Sequence, residues 1–340
     1  MKLRLILVAG GLAAGLISLA LWRLADHDLE WRHSEGFEFS AAGQSVSGTL
    51  WLPDGRALAA VVLVHGDGAQ DRTAAGGYAP LINSFLDRGI AVAAWDKPGV
   101  GASEGNWLLQ SMEERTEETR AALHQLTTRL EGIAVGAVGF SQAGWVLPGL
   151  SRQEADFLVL IGPAVSWRDQ GRYYTRMRLG QAGSSAAEID QTLAEQARAN
   201  DRIFGADASP SDAPAAMSPD RWRFIQQNRH ADARQHLSRL EPPLFAIWGA
   251  DDLNVDAPHN AALYQSLLEE RAAATKILVW PEATHGLLKA PAYNWQLAQE
   301  WSWAAQLRFV AEGRYAFAPG ALGAITDWIE ERARASDSRS

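Results

Sequence analysis

The chain has no cysteine. That excludes a disulfide framework, a thiol nucleophile, a cysteine zinc site and a lipidated cysteine anchor. It also lacks an excess of positive charge: 31 basic residues against 40 acidic ones give a formal charge of -9, so no overall field draws it to nucleic acid. It has no internal repeat and no extended low-complexity tract. With 47% hydrophobic residues and only 14 prolines among 340, it is neither disordered nor fibrous. The length suits one large α/β unit with an insertion, or two modest domains, so the order of motifs has to decide.

The first residues form the one long apolar run. Lys2 and Arg4 precede Leu5 to Trp22, which only glycines and Ser18 interrupt, and Arg23 ends it. The run is roughly 18 residues long, the minimum for a spanning helix. Residues 1–24 therefore read as an export signal or membrane anchor. Ser18-Leu19-Ala20 offers a small-x-small cleavage site, but the apolar pattern continues past it, which suits an uncleaved anchor. Either reading exports the rest of the chain, anchored in the inner membrane with its folded part in the periplasm, or released as a soluble protein. Residues 25–35, polar and carrying Asp26, His27, Asp28, Glu30 and Arg32 among others, read as a linker.

From Gly36 onward a folded domain is expected to about residue 335. Phe37 to Phe39 and the alternating Val46, Gly48, Leu50 and Leu52 predict two antiparallel strands around an Ala42-Gly43 turn, and Pro53-Asp54-Gly55 makes the next turn. The pattern then becomes short continuous apolar runs separated by amphipathic stretches. This is the signature of a mostly parallel sheet covered by helices on both faces. The expected strands are Ala59 to Val64, Ile90 to Trp95, Ile133 to Phe140, Phe157 to Ile161, Leu244 to Trp248 and Ile277 to Trp280. The interval from Ile161 to Leu244 is too long for a connection, so a helical cap is expected over about 165–240, hanging above the carboxyl ends of the strands.

The strand ending at Phe140 runs into Gly139-Phe140-Ser141-Gln142-Ala143-Gly144. Ser141 stands at the apex of a sharp turn, after which Trp145 to Leu150 is expected to begin a helix. A serine hydroxyl is a poor nucleophile unless a neighbouring base takes its proton. Of eight histidines, His285 lies just beyond the last strand, where a loop can reach back over the sheet; the others fall in the linker, in the loop after Val64, on helix faces or in the cap. An imidazole in that role needs a carboxylate to fix its tautomer. Gly249-Ala250-Asp251-Asp252-Leu253-Asn254-Val255 supplies two, of which Asp252 is the expected acid and Asp251 the turn cap. The backbone amide of Gln142, and that of Asp67 in His65-Gly66-Asp67-Gly68, are the expected donors to a tetrahedral oxyanion. The Asp67 carboxylate is expected to turn away from that charge, and His65 to brace the loop.

These residues resemble the α/β-hydrolases, and more narrowly bacterial esterase-like and serine-aminopeptidase-like members. Val64 to Arg72 looks like their oxyanion segment, Asp96-Lys97-Pro98-Gly99-Val100-Gly101-Ala102-Ser103 like the loop after the next strand, and the stretch from Pro319 to Trp328 like the closing helix. The resemblance implies the α/β-hydrolase fold and a serine hydrolase acting through an acyl-enzyme, with no metal and no cofactor. Its substrate would be a small ester or a short peptide, esters being favoured because no acidic cluster stands ready for a peptide amino terminus. Trp107, Trp145 and Trp167 are candidates for an acyl pocket or for core. Arg168, Arg172, Arg176 and Arg178 are candidates for an anion site or for solvated faces. The same triad also serves acyl transfer to another acceptor, and a catalytically silent binding module is the alternative of another class.

Overall fold

The computed structural model describes residues 23–337. Eight strands form one sheet: β1 (Ser34–Ala41), β2 (Gln44–Trp51), β3 (Ala59–Val64), β4 (Ile90–Trp95), β5 (Ala134–Phe140), β6 (Leu158–Ile161), β7 (Leu244–Gly249) and β8 (Thr275–Trp280). Their order is β1-β2-β4-β3-β5-β6-β7-β8. β2 pairs antiparallel with both β1 and β4, and every other neighbouring pair is parallel. The hairpin between β1 and β2 turns on Ala42 and Gly43, whose φ angles of 49° and 76° are both left-handed, as a tight two-residue turn with the twist of the sheet requires.

All six residues of β3 and all six of β4 are buried, which is why they read as unbroken apolar runs rather than alternating ones. Alternate side chains feed two cores. Ala60, Val62 and Val64 meet α2 (Met112–Arg129) and α6 (Ala257–Leu267) on one face; Ala59, Val61 and Leu63 meet α1 (Ala79–Leu86) and α8 (Ala321–Asp337) on the other. Between β6 and β7 lie α3 (Trp167–Gln181), α4 (Ala186–Ile203) and α5 (Pro219–Asn228), and α7 (Trp303–Glu312) follows β8. This is the expected α/β-hydrolase architecture.

Two expectations give way. After Ser141 the chain makes 3-10 turns over Ser141–Trp145 and Leu147–Gly149 instead of an α-helix. Pro148 lacks the N–H that a continuing helix needs, and Gly144 and Gly149 disfavour it further. The polar residues before β1 are not a free linker. Asp26 is buried and accepts from Arg314 through Nε at 2.8 Å, Nη2 at 2.6 Å and the backbone N at 3.0 Å. Arg32, also buried, donates to Asn83 Oδ1 at 2.7 Å and pairs with Asp87. Their charges mark a docked strap, not solvation. The anchor expected over residues 1–24 lies outside the described residues except for Arg23 and Leu24; no helix among the described residues is long and apolar enough to cross a membrane.

Replacing Asp26 by alanine strips three hydrogen bonds from the Arg314 guanidinium and amide. The expected loss is about 2 kcal/mol, within the range for charge-assisted hydrogen bonds. It should appear as a lower urea midpoint at unchanged m-value.

Candidate active site

The site assembles at the carboxyl ends of β3, β5, β6 and β7 and in the loop after β8. Ser141 has a left-handed φ of 49°, an uncommon conformation for a residue with a side chain. The turn tolerates it because its neighbours are small: a Cβ on Gly139 would come within 2.6 Å of Ala143 Cβ and 2.7 Å of Leu147 Cδ1. Gly66, from the loop after β3, packs directly on the serine, and a Cβ there would lie 3.4 Å from Ser141 Cβ. On the other side of β5, Phe140 pairs with Ile161 in register, so Gly162 lies beside Ser141. Gly162 has a φ of 61°, and a Cβ on it would sit 2.8 Å from His285 Nδ1. His285 therefore lies over the strand next to the serine's own. Only glycine leaves room for the ring.

His285 Nδ1 is 2.7 Å from Asp252 Oδ2. The other carboxylate oxygen, Oδ1, accepts from the amides of Asn254 at 2.7 Å and Val255 at 2.9 Å, and Asp252 is buried. These contacts separate the two adjacent acids: Asp252 points inward with its lone pairs occupied, while Asp251 is exposed. With Nδ1 donating to the carboxylate, Nε2 is the free acceptor of the ring. Burial alone would lower the His285 pKa, but the charge and hydrogen bond of Asp252 outweigh it and raise it above 6.5. No hydrogen bond joins Ser141 to His285, so the structure brings acid and imidazole into contact and leaves the serine beside them.

Behind the loop after β3 stand two buried cations. Lys97 Nζ, at the end of β4, donates to the carbonyls of Gly66 at 2.5 Å and Gly68 at 2.9 Å. Arg115, on α2, donates to His65 O at 2.6 Å and to Gln142 Oε1 at 2.5 Å. The amide of Asp67 shares a trans peptide with the Gly66 carbonyl, so it points away from Lys97. His65 does brace the loop: its Nε2 is 2.7 Å from Trp95 O and its ring stacks on Tyr78. Burial, with the nearby Lys97 charge, pushes its pKa down to about 3. The Asp67 carboxylate turns to Gln142 Nε2 at 3.3 Å and to Arg221 of α5 at 3.3 Å. Desolvation pushes its pKa up, yet Arg221 and Lys97 together hold it below the ordinary carboxylate value. Neither Lys97 nor Arg115 stood out in the sequence as part of the site. Lys97 lies inside a recognisable loop, but Arg115 has no local signal.

The helices between β6 and β7 touch the site at several points. Tyr173 of α3 donates to Asp252 O at 2.8 Å, and Gln170 donates to Asn254 O at 3.1 Å. Trp167 lies 5.1 Å from Trp145, which is buried against Val165, while Trp107 packs on Phe224. Trp167, Arg172, Leu193, Phe204, Arg221 and Arg229 line a cavity of about 470 Å³ within this cap. Of the four arginines noted in the sequence, Arg176 pairs with Asp190 and Arg178 approaches Glu300, whereas Arg168 and Arg172 line the cavity. Among the described residues no group of three or more histidine or acidic side chains could hold a metal ion.

Residues 55–292 match the serine aminopeptidase S33 family, well over half of the chain. The chain belongs to the serine aminopeptidase S33 family. It is a serine hydrolase of the α/β-hydrolase fold. Among solved structures, an esterase of Pyrococcus furiosus superposes with a TM-score of 0.53 at 18% identity, over 75% of this chain and 83% of that one. An enzyme of Butyrivibrio proteoclasticus with ferulic acid bound gives 0.52 at 13% identity, over 88% and 99%. A thermostable carboxyl esterase of Bacillus coagulans gives 0.51 at 15%, over 73% and 90%. At these identities the likeness is one of fold. None of the curated proteins matches the chain.

The imidazole–carboxylate pair makes a direct prediction. In a proton NMR titration His285 should take up its proton above pH 6.5, and in Asp252→Asn below the wild-type value, because burial then acts without the opposing charge.

Proposed function

We propose that the protein hydrolyses a carboxylic ester by way of an acyl-enzyme on Ser141. The observation that carries this reading is the buried Asp252–His285 pair, held over the strand beside the left-handed turn at Ser141. In the first half-reaction Ser141 Oγ attacks the carbonyl carbon while its proton passes to His285 Nε2. Asp252 stabilises the imidazolium through Nδ1–H and keeps its own charge. The amides of Asp67 and Gln142 donate to the developing oxyanion, and the imidazolium then protonates the leaving alkoxide. In the second half, water loses its proton to His285 as it attacks the acyl carbon. The tetrahedral adduct collapses to a carboxylic acid, and the proton returns to Ser141.

Lys97 and Arg115 are assigned as positioning residues. By holding the carbonyls of His65, Gly66 and Gly68 from behind, they set the direction of the amides in front. Esters are preferred to amino-terminal peptide substrates because the charged residues lining the cap cavity are four arginines, Arg168, Arg172, Arg221 and Arg229, against one carboxylate, Asp201, a balance that disfavours an ammonium group. The family's name favours the second reading, an exopeptidase acting on short peptides. A panel of esters and aminoacyl amides separates the two. The run Leu5 to Trp22 is proposed to anchor the chain in the cytoplasmic membrane, with the hydrolase domain outside.

The wild-type enzyme should react with a fluorophosphonate and turn over short-chain p-nitrophenyl esters, and Ser141→Ala should do neither. Folded wild-type protein that is inert to both would sink the triad and favour a silent binding module. Asp252→Asn should lower kcat by about 10⁴-fold. The acid limb of kcat/KM should have its midpoint above pH 6.5, because His285 must be neutral to act as base and its pKa is raised. Lys97→Met should lower kcat by roughly 10- to 100-fold at little change in KM, a smaller effect than losing an oxyanion donor outright.

A further inference from the structure

The stretch from Leu287 to Gly313 takes no part in the proposed reaction, yet it contains the most unusual surface among the described residues. Helix α7 is apolar on two sides. Inward, Ala305 is buried and the Phe309 ring lies 5.6 Å from Trp301 and 5.1 Å from His27. Outward, Val310, Trp303, Leu307, Ala311 and Ala304 follow one another around the helix over an arc of about 120°, at about 100° per residue. Gln306 and Arg308 border that arc. Trp303 is 75% exposed, Leu307 60% and Val310 39%. A surface helix of a soluble domain ordinarily turns charged and polar residues outward, and a contiguous exposed stripe of this kind marks a contact surface.

The position of this stripe identifies what covers it. The apolar run Leu5 to Trp22 ends at Arg23, and the structure fixes Arg23 at the carboxyl end of α7. His27 Nε2 lies 3.2 Å from Phe309 O. A Cβ on Gly313 would come within 2.6 Å of Asp26 Oδ2 and 3.0 Å of Arg23 O. The Arg23 guanidinium lies over the Tyr315 ring at 4.3 Å, and the neighbouring Leu24 is 45% exposed. A run long enough to enter a bilayer thus leaves the domain beside its exposed apolar stripe. A tryptophan at one end of that stripe and an arginine at the root of the run are the residues that settle at a membrane–water interface.

We propose that the outer stripe of α7, formed by Trp303, Leu307 and Val310, lies in the headgroup region of a phospholipid bilayer next to the point where Leu5–Trp22 inserts. The domain then has two attachments, a spanning segment and an interfacial helix, and the second fixes how the domain is turned relative to the membrane.

The absence of cysteine gives a direct test. Leu307→Cys in the full chain carries the sole thiol, to be labelled with an environment-sensitive nitrobenzoxadiazole and reconstituted in phosphatidylethanolamine–phosphatidylglycerol vesicles. Leu109→Cys, at an exposed residue close to the cap, is the control. Retained circular dichroism and thermal midpoint establish folding for both without reference to hydrolysis. The expected result is a blue-shifted emission at position 307, quenched by headgroup-proximal nitroxide lipid and weakened by adding Trp303→Ser, with a water-exposed signal at position 109. A probe at 307 that stays in water overturns the proposal. So does shielding that nitroxide lipid fails to quench, which means that protein covers the stripe: the chain's own amino-terminal segment, or a second copy if shielding rises with protein density. Equal quenching at 307 and 109 overturns it as well.

Discussion

Two cations buried behind the reacting face constrain everything in front of it. Lys97 and Arg115 are 2% and 4% exposed, and removing such charges from water costs several kcal/mol each unless partners replace the lost hydration. The partners here are backbone carbonyls of one loop and, for Arg115, the Gln142 side-chain oxygen as well, with the charge of Glu118 close enough to favour both cations. Burial works to lower the pKa of each. The strand order β4-β3-β5 makes the arrangement possible. Lys97 ends β4, the loop at His65 to Gly68 ends β3, and Ser141 follows β5, so the loop is wedged between a cation and the serine. Arg115 reaches both His65 O and the Gln142 side chain, linking the loop that carries Asp67 to the turn that carries Gln142. A loop gripped in this way does not need to reorganise as charge develops before it, and that is the physical content of preorganisation.

The sheet was legible because its central strands are buried on both faces. A fully buried strand has no polar positions to interrupt it, so Ala59 to Val64 and Ile90 to Trp95 stood out with the observed bounds. Ser141, Asp252 and His285 were legible for another reason: each follows a strand at a turn whose small or capping residues are local in sequence. Lys97 and Arg115 were not. Their partners lie 27 to 50 residues away, and a lysine in a glycine-rich loop or an arginine on an amphipathic helix looks the same whether it is buried or solvated. The strap before β1 misled in the opposite direction. Asp26 and Arg32 read as solvated linker charges because Arg314, Asp87 and Asn83, which bury them, are remote.

The cap ties specificity to the machinery. Arg221 lies in the wall of the cavity and also faces Asp67, sharing with Lys97 the compensation of the negative charge beside the oxyanion loop. Tyr173 fastens α3 to the backbone of the acid loop. Movement of the cap would therefore alter the field at Asp67 and the support of Asp252 together. Arg221 and Asp67 are partly exposed and their contacts long, so this pair yields to a bound ligand more readily than the buried Arg115 contacts.

The two ends of the sheet have different tasks. Leu58, just before β3, donates its amide to Gly89 O, which places Asp87 to Gly89 at the amino ends of the strands. Asp87 pairs with Arg32 and Arg314, and Arg314 holds Asp26, so the amino-terminal root is fixed at that end. Ser141, Asp252 and His285 lie at the other end, separated from it by the length of β5, about 23 Å at roughly 3.3 Å per residue.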